Sequence, residues 1–288
     1  MSTIAKKYHN LCRNILANGS EKGDRTGTGT ISVFGRTLRH DLSEGFPILT
    51  TKSVHFKSVV GELLWFLKGD TNIKFLQDHK IKIWDAWADT GGDIGNMYGA
   101  QWRNWSDGYE GAYGIDQIKI LVNSLTHNPN SRRHVVSAWN VDFLPDSDRK
   151  EYIPHTWDGE MALAPCHYSF QCYVNDGKLS LIFNMRSSDV FLGLPFNLAS
   201  YALLCHMLAQ VCGLEVGELI WSGADVHIYQ NHIEQVKTQI ERYGNGEVFE
   251  SPTLVLNKDI TDIDDFTFDD IQLINYKNAG KLTGEVAV

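Results

Sequence analysis

The chain has 288 residues, 43% of them hydrophobic and 21% charged, proportions that suit a folded protein with a sizeable core and exclude disorder over most of its length. A formal charge of −9 argues against general affinity for nucleic-acid backbones, which needs clustered positive charge, so no DNA partner is expected and any phosphate would meet a few placed arginines. No segment reaches the roughly 18–20 apolar residues that span a bilayer, and MSTIAKKYHNLCRN lacks the apolar run of a signal peptide, which sets a cytoplasmic, membrane-free location as the expectation.

In chain order, DRTGTGT (24–30) reads as a flexible Gly/Thr loop, and TISVFGRTLRHDL as β structure with a turn or bulge at Gly35. His55 to Leu67 reads as a helix with Val59, Leu63, Leu64 and Phe66 on its apolar face and Gly69 as its stop. HVVSAW (134–139) is a buried-strand pattern, and 141–159, rich in Asp, Pro and Lys without periodicity, reads as a surface insertion. The β-prone runs 168–174 and 179–185 meet through Asn175, Asp176 and Gly177, a hairpin signal. Leu198 to Leu214 is apolar on nearly every side and predicts a buried helix ending at Gly213. Beyond Ser251 come short β-like runs, TLVLN and FTFDDIQLI. With no repeat or linker, these elements define one large α+β domain spanning 1–288.

The five cysteines are dispersed, odd in number, and show neither C-x-x-C nor metal-ligand spacing. They read as reduced thiols, and no metal is expected. Cys166, in LAPCHYSF, follows a proline and precedes His167. Taken alone it suits a buried structural thiol as well as a nucleophile, because a reactive thiolate needs a positive field. Arg25, Arg132, Arg133 and Arg186 are candidates for that field, and guanidinium forks also suit a phosphate dianion. Glu62 stands among Leu63, Leu64, Trp65 and Phe66, where a carboxylate is expensive to bury without a task. Asn197 offers a donor and an acceptor for a base edge, and is equally suited to a helix N-cap. His227 and Tyr229 alternate in DVHIY and so share one face of a strand.

Taken together, DRTGTGT (24–30), GFPILTTK (45–52), GELLWFLKGDTN (61–72), IWDAWAD (83–89), YGAQWR (98–103), SRRHVVSAWN (131–140), MALAPCH (161–167), RSSDVFLGLPFNLASYALL (186–204) and HIYQNH (227–232) closely resemble the thymidylate synthase family, almost end to end. The resemblance implies a mixed, bulged β-sheet that packs against helices on one side and forms a homodimer interface on the other. It implies that Cys166 adds to carbon 6 of deoxyuridylate, after which carbon 5 attacks the methylene of methylenetetrahydrofolate, a co-substrate. Arg25, Arg186 and Ser187 would hold the phosphate, joined by Arg132 and Arg133 from the partner subunit. Glu62, Tyr98 and His167 would form the proton-handling network, Asn197 would read the uracil edge, and His227 with Tyr229 would meet the deoxyribose hydroxyl. On the folate side the matches are Lys52, His55, Ile83, Trp84, Trp87, Asp189, Leu192, Gly193, Phe196 and the closing tail residues Ala287 and Val288, with Lys52 at the glutamate tail.

The chain departs from the family's usual Tyr-Gln before Arg-Ser, carrying Asn184 and Met185. That removes an amide near the nucleophile. Two sister readings stay open: a hydroxymethylase that quenches the same adduct with water, and a relative without activity that binds nucleotide or RNA.

Overall fold

The computed structural model describes residues 3–24, 26–106, 114–145 and 159–286. Its elements are α1 (Thr3–Asn18), β1 (Ser20–Lys22), β2 (Thr30–Asp41), α2 (Phe56–Leu67), α3 (Lys74–Asp78), α4 (Tyr98–Arg103), α5 (Gln117–His127), β3 (Val135–Ser137), β4 (His167–Asn175), β5 (Lys178–Asp189), α6 (Gly193–Val211), β6 (Glu215–Tyr229), α7 (Ile233–Gly244), β7 (Thr253–Leu256) and β8 (Ile271–Ile274). The first six strands form one sheet in the order β1-β2-β6-β5-β4-β3, and β7 pairs with β8 separately. Every neighbouring pair in the sheet is antiparallel except β5 and β6. That exception follows from connectivity, since α6 lies between those strands and supplies the crossover that parallel neighbours need. The fold is a single mixed α+β domain, as the sequence predicts.

One face of the sheet is the core. Leu179, Leu181, Phe183 and Met185 of β5 and Leu219 and Trp221 of β6 point into it and are buried, while Ser180, Ile182, Asn184 and Ile220 point to the other face and are only half-buried. Helix α6 covers the buried face. It is long and apolar enough to cross a bilayer, contrary to the expectation that no segment would be, yet it is largely enclosed by the protein. An apolar helix buried on every side is a core helix. Helix α1 lays Ile4, Tyr8, Leu11 and Ile15, all buried, against β2 and α7.

The ladders are interrupted at one level across four strands. Phe34 pairs with Asp225 and Arg36 with Gly223, leaving Gly35 and Ala224 unpaired between them. Met185 pairs with Gly223 and Ser187 with Asp225, skipping Arg186, and β4 shifts register between His167 and Ser169. Gly35 takes φ +71°, a conformation that glycine adopts without penalty. Beyond the break the parity of burial reverses on β5, from Met185 buried to Ser188 buried. The register between β5 and β6 is the same on both sides of this break, so the reversal is a local kink of both strands at Arg186 and Ala224 rather than a slip, and it leaves the Arg186 N–H on the Cys166 carbonyl.

Several sequence expectations are corrected. Helix α6 begins at Gly193 rather than Leu198, because Asp189 Oδ1 accepts the N–H groups of Phe191 (2.9 Å) and Leu192 (3.2 Å) and so starts the turn early. Pro195 is tolerated there because first-turn N–H groups lack helical partners. Asn197 therefore lies inside the helix and is not its N-cap. The strand read at 134–139 is shorter, Val135–Ser137, and lies at the sheet edge with Val135 half exposed and only Val136 buried. The long strand β6 was legible only at its HIY end, since Gly217, Gly223 and Ala224 dilute its pattern. The hairpin holds as read, with Asp176 at φ 50° and Gly177 at φ 73° forming the two-residue turn. Of the expected 141–159 insertion, 146–158 lie outside the described residues, and Val141–Phe143 is a single 3₁₀ turn.

Helix α4 approaches α2 so closely that a Cβ on Gly99 would collide with the backbone of Phe66. Gly99→Ala is expected to lower stability by on the order of 2–3 kcal/mol in urea titration, since neither backbone can yield cheaply. A loss below about 0.5 kcal/mol would show that the helices do not depend on this contact.

Candidate active site

Residues from α2, the 83–87 turn, α4, the start of β4 and the end of β5 converge on Cys166. The backbone N–H of Cys166 donates to Tyr98 Oη at 2.9 Å, which fixes the phenol beside the cysteine and leaves its own proton to give. The Tyr98 ring stacks on His167 at 4.1 Å between centroids and 19° between planes. Tyr98 takes φ +23°, a sparsely populated backbone state for a bulky residue, of the kind found where packing over-determines a position. Burial and the neighbouring Cys166 push its phenol well above the usual range, so it remains protonated.

His167 Nδ1 meets Tyr201 Oη at 2.9 Å. Burial drives its pKa down to about 3, so the imidazole is neutral at any working pH. Glu62 lies in a helix whose residues from Ser58 to Leu67 are all buried, and one carboxylate oxygen accepts the indole N–H of Trp84 at 2.9 Å. Burial lifts the Glu62 pKa from 4.5 to about 7, with the Trp84 hydrogen bond pulling weakly the other way. A carboxyl poised near neutrality can both hold and release a proton at physiological pH.

Arg186 donates from Nε to the Pro165 carbonyl (3.0 Å) and from a terminal nitrogen to the Ala164 carbonyl (2.6 Å), while its backbone N–H donates to the Cys166 carbonyl at 2.9 Å. The guanidinium is thus strapped to the segment that carries the thiol, bringing a fixed positive charge to that segment. Ser187 is half-buried beside it. Arg132 and Arg133 are exposed on the turn before β3, with no carboxylate partner among the described residues. Among the described residues of one chain nothing ties them to Cys166. Arg25 lies outside the described residues.

On the other wall Trp84 is buried and Ile83, Trp87, Leu192 and Phe196 are half-buried, each packed on the core with part of its surface uncovered. The Trp84 and Trp87 rings meet edge to face at 5.6 Å. A flat apolar ring system fits such surfaces, and the half-buried Asp189 would offer its polar edge a carboxylate. Gly193 has no side chain to fill the space beside Asn197 and Asp189. His55 is exposed and hydrogen-bonds Ser58 Oγ at 2.7 Å. Lys52 is buried: its ammonium donates to the Phe191 carbonyl and stands 3.9 Å from the Phe191 ring centroid. Burial lowers its pKa to about 8 against the pull of Asp189. Tyr8 of α1 donates to the neighbouring Val190 carbonyl at 2.9 Å, so two side chains from distant parts of the chain anchor the segment between Asp189 and α6.

His227 and Tyr229 do share a face, with rings 5.1 Å apart at 87°. Ala287 and Val288 lie outside the described residues, but the preceding segment crosses the site's rim. The Glu285 carbonyl lies 2.8 Å from His232 Nε2, and Gly284 is pressed against the rings of His232 and Phe191. Sequence reading missed Tyr201, Asp225, His232 and the anchor by Tyr8. Two of them carried a signal: Tyr201 is four residues past Asn197 on one helix, and Asp225 two before His227 on one strand, spacings that place side chains together.

Fold and site together describe a mixed α+β enzyme whose buried acid, phenol and imidazole gather round one cysteine. The family model for thymidylate synthase matches residues 6–288, essentially the whole chain, and the chain belongs to the thymidylate synthase family, methyltransferase-type enzymes of nucleotide biosynthesis.

Proposed function

We propose that the chain is a thymidylate synthase, which methylates deoxyuridylate reductively with methylenetetrahydrofolate as donor of carbon and hydride. The observation that carries this reading is the buried Glu62, poised near neutrality and held by Trp84 within the same aromatic cluster as Tyr98, His167 and Cys166. Cys166 adds as thiolate to carbon 6 of the uracil, and electron density moves to carbon 5. Glu62 supplies and withdraws protons at the pyrimidine carbonyl, Tyr98, whose phenol stays protonated, lines the place where the carbon 5 proton leaves without being its base, and neutral His167 orders the network. Asn197 pairs with the uracil edge, Arg25, Arg186 and Ser187 hold the phosphate, and His227 with Tyr229 meets the sugar hydroxyl. The wall of Ile83, Trp84, Trp87, Leu192 and Phe196 holds the folate ring, with Asp189 at its polar edge; His55 and Lys52 belong to the same wall, and the tail that carries Ala287 and Val288 excludes water.

We further propose a homodimer formed through the open face of the sheet. That face carries Ile182, Ile220 and the exposed Tyr173 around a concavity of about 560 Å³, and pairing it would let the exposed Arg132 and Arg133 reach the other subunit's phosphate. All five cysteines are thiols, which suits a cytoplasmic setting.

The test is incubation with deoxyuridylate and methylenetetrahydrofolate, following dihydrofolate by absorbance and the nucleotide by mass spectrometry. Thymidylate and dihydrofolate are expected in equal amounts. A hydroxymethyl product without dihydrofolate would identify the sister hydroxymethylase, a reading favoured by Met185, which is buried where the family usually has an amide. No product at all would leave a binding protein.

Specificity supplies a separate expectation. Asn197→Asp should raise the rate on deoxycytidylate relative to deoxyuridylate by about tenfold or more, since a carboxylate cannot donate to the uracil carbonyl but suits the amino-bearing edge of cytosine. An unchanged ratio in competition kinetics would rule out base reading by Asn197.

A further inference from the structure

Resting on the reading of His227 as the residue that meets the sugar hydroxyl, we propose that Asp225 is a positioning residue that fixes the tautomer of His227 and so makes Nε2 a hydrogen-bond acceptor for that hydroxyl. Asp225 and His227 lie two apart on β6, opposite Phe34 and Ser32 of β2, and therefore on one side of the strand. Asp225 Oδ1 is 3.1 Å from His227 Nδ1, and Asp225 Oδ2 accepts from Lys22 Nζ at 2.7 Å. Lys22 closes β1, the strand that leads into the 24–30 loop, so the ion pair ties that loop's base to the sugar side of the site.

The chemistry of the contact decides which nitrogen carries the proton. Partial burial works against charge on Asp225, but Lys22 and His227 outweigh it and hold the carboxyl below its ordinary range. An ionised carboxylate has no proton to give, so Nδ1 must be the donor. In the neutral ring Nε2 is then bare and can only accept. A sugar hydroxyl in its reach donates to it, and a nucleotide lacking that hydroxyl leaves a largely buried nitrogen without a partner. Asp225 thereby converts a ring of two possible tautomers into a detector of a hydrogen-bond donor.

The test combines long-range proton–nitrogen spectra of histidine-labelled protein with titration by deoxyuridylate and by its 3′-deoxy analogue. In the wild type, His227, assigned by its loss in His227→Gln, should carry its proton on Nδ1. In Asp225→Asn the side-chain amide can donate to Nδ1 and the proton should move to Nε2. The Kd for deoxyuridylate should then rise about tenfold, while that of the analogue moves less than about twofold. Lys22→Met, which leaves the carboxylate in place, should keep the Nδ1–H form and the parent's ratio of Kd values for deoxyuridylate and the analogue, whatever the lost loop tether does to both. A wild-type spectrum with the proton on Nε2 overturns the proposal without any variant, as does equal weakening for both ligands in Asp225→Asn. If the tautomer moves as expected but the analogue binds the wild type as tightly as deoxyuridylate does, the assignment of His227 to the sugar fails and the tautomer control by Asp225 stands.

Discussion

Cys166→Ser is expected to lower turnover by on the order of 10⁴-fold or more while leaving the affinity for deoxyuridylate within about threefold. The exchange is nearly isosteric, and the hydrogen bond that places the residue comes from its backbone N–H to Tyr98, which serine retains. What changes is the supply of anion. A thiol ionises far more readily than a hydroxyl, and the thiolate, not an alkoxide, is the anion that a nearby fixed positive charge can favour. A serine nucleophile needs an adjacent general base. His167 cannot take that part, because its Nδ1 is engaged by Tyr201 and burial holds its pKa near 3. Calorimetry with deoxyuridylate and dihydrofolate absorbance measure the two quantities. Turnover within tenfold of the parent would remove Cys166 from the chemical step.

Glu62→Gln should reduce turnover by roughly 10²–10⁴-fold, the usual yield of positioned acid–base catalysis, and at the same time make the protein more stable in mild alkali. Below about pH 4.5 the carboxyl is protonated in the folded and unfolded chain alike, and pH has no leverage through it. Between 4.5 and about 7 the unfolded chain has lost the proton that the folded chain keeps, so each rise in pH weakens folding. Above about 7 the full penalty, roughly 3 kcal/mol for that separation of pKa values, is in place. Glutamine can still accept from Trp84 but cannot ionise, so its advantage over the parent should be absent at pH 4.5 and approach that figure at pH 8, read as the difference in urea unfolding. The variant should also lose the limb of the parent's pH–rate profile that falls near 7. Equal stability of the two proteins across this range would mean that Glu62 is not desolvated as described.

Gain in stability with loss of activity marks residues that local sequence rules flag as misplaced, and Glu62 was visible for that reason as one charge in an apolar helical run. Helix α2 and the Asp176-Gly177 hairpin were legible because their patterns are local and regular. The start of α6 was not, since it depends on Asp189 folding back to accept two N–H groups, and no propensity reports that. The site divides in the same way. Cys166, Asn197 and the His227–Tyr229 pair could be picked out by type and spacing, whereas Tyr201 against His167 and Lys52 against Phe191 are meetings of residues 34 and 139 apart in sequence. Arg132 and Arg133 were identified by composition, and their exposed position in one chain shows why their role could not be read from the spacing of neighbours. The stacked ladder breaks were hinted at by Gly35 alone. Ala224, Arg186 and the shift beside His167 share its level only once the strands are paired.

The anchoring of the Val190–Phe191 segment also sets an order of events during synthesis. Tyr8 must wait for a partner 182 residues further along the chain, and the α7 face on which α1 packs emerges later still. At ribosomal rates of about 5–20 residues per second, α1 has β2 to pack on soon after it emerges but waits roughly 10–45 s for the rest of its apolar face to be covered by Val190 and α7. The wall of the site is then among the last parts to close, so a nascent chain carries an adhesive helix well before it carries any activity. High contact order at the catalytic wall makes this enzyme's exposure to aggregation a matter of translation speed as much as of stability.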